Sequence, residues 1–133
     1  MTVPRSPAVT WWRSRSEGES LPPRWKVANG IPLRLHFHDT RNTGLANAFA
    51  GVEAGVTILD ASVGGLGGCP FAPDATGNIG TEDLVYMLER AGYETGYDLD
   101  QLIAIGNWAS GLLGKAPAAS VSRAGRFPQL APA

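Results

Sequence analysis

Two histidines separated by one residue, His36 and His38 in Leu35-His36-Phe37-His38-Asp39, are the side chains of this chain best suited to chemistry. On an extended strand, positions i and i+2 project from one face, so the two imidazoles make half of a divalent metal site. The plain alternative is one core histidine satisfied by backbone beside an incidental one. Asp39, closing the strand, favours the metal. A hard ion such as Mg²⁺ or Mn²⁺ also takes oxygen ligands. Asn78, in Gly77-Asn78, offers a side-chain carbonyl, or else serves as a turn or capping residue. Cys69 lies in Gly64-Gly65-Leu66-Gly67-Gly68-Cys69-Pro70, a run built for bends. A solvent-reachable thiol near a cation can act as acid, base or nucleophile; a free cysteine otherwise is a small buried hydrophobe.

These residues need elements to hold them. Ile31–His38 reads as a strand that opens after a proline, and Asn42–Gly55 as a helix with Asn42 or Thr43 capping its start and Gly55 its end. Val56–Asp60 is a short β-branched run suited to a buried parallel strand. The stretch 64–77 reads as one long loop. It lacks the Lys-Ser/Thr of a P-loop and the spacing of a dinucleotide fingerprint, so it is a flexible active-site loop or a plain linker. A second helix is predicted from Thr81 to near Gly92, with Glu82 and Asp83 complementing its dipole. A third spans Leu99–Leu113, with Leu102, Ile103, Ile105, Trp108, Leu112 and Leu113 as its apolar face. Beyond Lys115 the Ala/Pro/Ser-rich sequence reads as loose. Residues 1–29, including Trp11-Trp12, show no period and read as a disordered leader.

Strand, helix, strand, helix makes an α/β unit with two parallel strands and about three helices. Two strands alone make a poor sheet, so the pattern resembles an excerpt of a larger fold. Candidate residues at the C-terminal ends of successive strands favour a barrel of the triosephosphate isomerase type.

The totals limit the function classes. The chain has 133 residues, enough for one domain, and 11 basic against 12 acidic side chains, which leaves no basic footprint for nucleic acid. No apolar run approaches the roughly 18 residues needed to cross a bilayer, and no membrane partner is expected. One cysteine makes no internal disulfide, and with no signal-peptide pattern a cytoplasmic location is the expectation.

From about Ile31 to Arg126 the chain closely resembles the C-terminal part of the 3-hydroxy-3-methylglutaryl-CoA lyase family, metal-dependent lyases with a TIM (β/α)8 barrel. The matching runs are His36-Phe37-His38-Asp39-Thr40, Leu45-Ala46-Asn47, Gly64 to Pro70, Ala75-Thr76-Gly77-Asn78 and Thr81 to Leu88. The histidine pair is shared with related Claisen-type synthases and metal-dependent aldolases, whereas the Gly-Gly-Cys-Pro loop points to the lyase. The resemblance implies that His36, His38 and Asn78 bind a divalent cation, Mg²⁺ or Mn²⁺. It implies that Cys69 lies on a mobile loop over the site and takes part in proton transfer, with His36 assisting. The family reaction cleaves an acyl-CoA substrate, 3-hydroxy-3-methylglutaryl-CoA, to acetyl-CoA and acetoacetate.

The family's Asp-Arg-Glu-like motif, which supplies a charged metal ligand and a cation for the enolate oxygen, is absent from these 133 residues. Asp39-Thr40-Arg41 belongs to the histidine segment instead. The expectation is therefore a disordered or frame-shifted leader over 1–29, the C-terminal part of a lyase barrel over 30–126, and a loose tail over 127–133. Its partners would be an acyl-CoA and either a second copy or a complementary N-terminal barrel half. The competing readings are a related synthase or aldolase fragment, and a non-catalytic fragment that associates with a complementary subunit.

Overall fold

The computed structural model describes residues 33–68 and 77–127. The expected leader over 1–29, the thiol of Cys69 and the last residues of the tail lie outside the described residues.

Strand β1 (Arg34–His36) runs parallel to β2 (Ile58–Asp60), in the register Arg34↔Ile58, Leu35↔Leu59 and His36↔Asp60. Both strands are shorter than their apolar runs predict, because a ladder persists only where two chains run side by side. Between them lies helix α1 (Gly44–Glu53). Its start is not capped by its neighbours: Thr43 makes no side-chain cap, and Asn42 adopts φ 55°. Instead the Gly44 N–H donates to Asp39 Oδ1 at 2.8 Å. Gly55, at φ 95°, follows the last turn as expected of a helix stop. A Cβ at Gly51 would run into Leu35, so the glycine lets α1 lie directly on β1.

Helices α2 (Thr81–Arg90), α3 (Leu99–Leu112) and α4 (Ser120–Ala124) complete the described chain. Ala48, Ile79 and Leu84 form one buried cluster, against which Phe37, Leu59 and Met87 pack; Val85, Leu99 and Leu102 form a second. Asp98 caps α3 by accepting from the N–H groups of Asp100 and Gln101. Among the described residues, no helix is long and apolar enough to cross a membrane.

Three expectations are corrected. The inward stripe of α3 is Leu99, Leu102, Gly106 and Ser110, whereas Trp108 and Leu112 are 66% and 69% exposed. The helix is apolar on two sides, and the side with small residues won because it permits closer approach to α2 and α4. At the start of the glycine run, Val63–Gly65 forms a 3-10 turn with Gly64 and Gly65 buried. Within the sequence beyond Lys115, Ser120–Ala124 forms α4, whose start is held by Asp83 accepting from the N–H groups of Ser120 and Val121 at 2.9 and 2.6 Å.

Candidate functional site

His36 ends β1, and His38 follows two residues later on the same face. Their rings meet edge to face with centroids 5.2 Å apart. The i, i+2 spacing therefore does locally what strand geometry requires.

Asn78, 40 positions beyond His38 in sequence, arrives by a backbone stitch. The Asp39 N–H donates to the Gly77 carbonyl at 3.0 Å and the Ile79 N–H to the Phe37 carbonyl at 3.2 Å, which pairs His38 with Asn78 in an antiparallel bridge. The same segment crosses to the end of β2. The Ser62 N–H donates to the Ile79 carbonyl and the Thr81 N–H to the Ser62 carbonyl. Ile79 is the plug of this stitch, only 1% exposed. The three expected donors thus gather at the C-terminal ends of the two parallel strands, the face on which α/β proteins place ligands.

The amide of Asn78 has a definite orientation. Its Nδ2 donates to the Leu66 carbonyl at 3.0 Å, which leaves Oδ1 as the atom able to serve as a ligand. Two neutral imidazoles and one amide oxygen fit part of the shell of Mg²⁺ or Mn²⁺, which also wants carboxylate or water oxygens. Among the described residues, no three His, Cys, Asp or Glu side chains gather as a metal site. Asp39, adjacent in sequence, accepts through Oδ1 from the Gly44 N–H at the start of α1. Cys69 lies outside the described residues, so its expected place over the site is not part of this geometry.

What sequence reasoning missed is the burial of Glu82. It lies in the first turn of α2 as expected, and it is fully buried. Both its carboxylate oxygens accept from the Gly64 N–H at 2.9 Å, and Oε1 also accepts from the Ser122 hydroxyl at 2.9 Å. Gly106 on α3 is what admits it, since a Cβ there would collide with Oε1. The available signal was that glycine inside an otherwise helical run, which marks a close approach.

A family model described as HMGL-like matches residues 24–108. The (R)-citramalyl-CoA lyase of Chloroflexus aurantiacus is 50% identical over 101 residues, covering 75% of this chain and 32% of that protein. A hydroxymethylglutaryl-CoA lyase of Bacillus subtilis is 48% identical over 83 residues, covering 62% and 28%. Among solved structures, an HMG-CoA lyase from Acinetobacter baumannii in complex with coenzyme A and 3-methylmalate superposes with a TM-score of 0.73. The two share 46% identity, over 84% of this chain and 37% of that one. The chain spans about a third of the length of the relatives it matches.

Proposed function

The chain belongs to the HMGL-like family, and from that premise we propose that it carries the metal-binding and proton-transfer corner of a carbon–carbon lyase acting on 3-hydroxy-3-methylglutaryl-CoA. The observation that carries the reading is the meeting of His36, His38 and Asn78 at the C-terminal ends of β1 and β2. In this proposal those three residues hold a divalent cation, Mg²⁺ or Mn²⁺. When bound, such an ion supplies Lewis-acid stabilisation of charge that develops on the substrate oxygens.

The remaining steps fall to side chains. His36 helps take the proton from the tertiary hydroxyl of the substrate. As its C2–C3 bond breaks, that oxygen becomes the ketone of acetoacetate, and the bonding pair stays with the acetyl-CoA carbon as an enolate. Cys69 then delivers a proton to that carbon. Cleavage to acetyl-CoA and acetoacetate balances without an oxidant. Supply of the remaining barrel strands by a complementary half, or association with a second copy, belongs to the proposal, as do a place in leucine breakdown and a cytoplasmic location.

A second reading takes (R)-citramalyl-CoA as substrate. Its support is the 50% identity to a lyase of that name over the longer matched stretch of 101 residues. Both readings use the same corner and differ in the acyl group it faces.

Titration of Mn²⁺ into isotope-labelled chain tests the corner. The ring resonances of His36 and His38 and the side-chain amide of Asn78 should broaden first, and His38→Ala should abolish the response. Uniform broadening, or none, would sink the reading. Acetyl-CoA release from each of the two substrates then separates them. With no Asp-Arg-Glu motif in its sequence, the chain on its own should turn over neither at an ordinary enzyme rate. Normal turnover that is lost with chelator and with His38→Ala would overturn that expectation.

A further inference from the structure

The Asn78 amide sits at the end of a relay of short-range contacts that begins at a buried carboxylate. Glu82 grips the Gly64 N–H from α2. On the other side of the same residue, the Gly64 carbonyl accepts from the N–H groups of Ala118 and Ala119 at 2.9 and 3.2 Å, just before α4. Held from both sides, Gly64 and Gly65 keep φ 67° and 66°, a backbone form that glycine adopts without strain. The turn closes through Gly65 N–H to the Ser62 carbonyl and Leu66 N–H to the Val63 carbonyl. That closure sets where the Leu66 carbonyl points, and it points at Asn78 Nδ2. Gly67 makes room: a Cβ there would lie 2.6 Å from that nitrogen.

We propose that Glu82 is a positioning residue for Asn78. Through the Gly64–Leu66 turn it fixes the side-chain amide so that nitrogen faces Leu66 and oxygen is presented beside His38. This rests on the metal reading above for its purpose, though not for its test. Partners of this kind, one step behind the ligands, set ligand orientation in metal sites generally. The buried Ser122 hydroxyl and the gap at Gly106 keep the carboxylate in place, so α3 and α4 join the site without touching it.

The test reads the Asn78 side chain without metal. Solvent exchange of its Leu66-bonded Nδ2 proton is measured by magnetisation transfer from water in labelled chain, alongside the backbone amides of α1, β1 and β2. Glu82→Ala should speed that exchange about tenfold, the restraint of one hydrogen bond, while the other amides hold. Glu82→Gln retains an oxygen for the Gly64 N–H and should restore slow exchange. Equal loss of protection everywhere would make Glu82 a stabiliser only and overturn the proposal, as would no change at Asn78. If Glu82→Ala does not fold, Gly64→Ala decides. Its methyl meets only ordinary contacts, the nearest 3.4 Å away, but it strains the positive φ. It too should release Asn78 selectively, and unchanged exchange would refute the relay. Mn²⁺ broadening of the two histidines, run separately, reports on the metal reading alone.

Discussion

At the scale of single residues, the neighbours of the histidine pair divide their labour in a way their types do not announce. Asp39 is one residue from His38, yet its carboxylate serves the first N–H of α1. An acceptor placed at a helix start contributes about 1 kcal/mol. Asp39→Ala should therefore lower the unfolding free energy read from urea curves by about 1 kcal/mol, and Asp39→Asn, which keeps an oxygen acceptor, should cost less than half as much. With Asp39 Oδ1 engaged at the start of α1, His36 and His38 should still respond to Mn²⁺ in Asp39→Ala. A lost response would make Asp39 a ligand. Glu82 is the converse case, a carboxylate remote in sequence that reaches the site's framework through backbone.

At the scale of elements, α3 is decided by its small residues. Gly106 lies on the inward stripe against Glu82 and Ser122, whereas Gly111 has open space where a Cβ would go. Alanine is favoured over glycine inside a helix by about 1 kcal/mol, so Gly111→Ala should raise stability by up to that much. Gly106→Ala should lower it by about 1–3 kcal/mol despite the same propensity gain, because the methyl collides with Glu82 and the core must shift. Matched urea unfolding curves of the two variants check this contrast. Equal effects of one sign would mean that the α3–α2 contact is looser than its geometry. The two β strands follow similar logic. Gly51 brings α1 onto Leu35 and Gly44 brings its start under Ile79 and the His38 carbonyl, so α1 sits where it braces the histidine segment.

At the scale of the whole described molecule, burial is thin for the apolar area available. Among the described residues, eight hydrophobic ones are buried, while Ile105, Trp108, Leu112 and Leu113 on or beside α3 are exposed. A groove of about 790 Å³ runs along β2, lined by Ile58, Leu59, Leu84, Val85 and Leu88 among others. A two-stranded sheet with so little cover is marginal in water. The chain alone should unfold over a broad range with a small denaturant slope, and a sharp cooperative melt of a monomer would contradict this.

What the sequence determined by itself was whatever is carried by short-range spacing. The histidines share a face because a strand has period two, α1 stops at Gly55 because glycine takes the positive φ, and α2 begins at Thr81 as its pattern predicts. The family, too, was legible in runs such as His36-Phe37-His38-Asp39-Thr40 and Thr81–Leu88. Tertiary structure alone decided which side of α3 faces inward, that Ser120–Ala124 forms a helix, and that Glu82 is buried beneath the glycine turn. Each of those depends on contacts between positions 15 to 40 residues apart. Local propensity does not encode such contacts: a carboxylate in a first helical turn looks the same whether its partner is solvent or a backbone N–H from another segment.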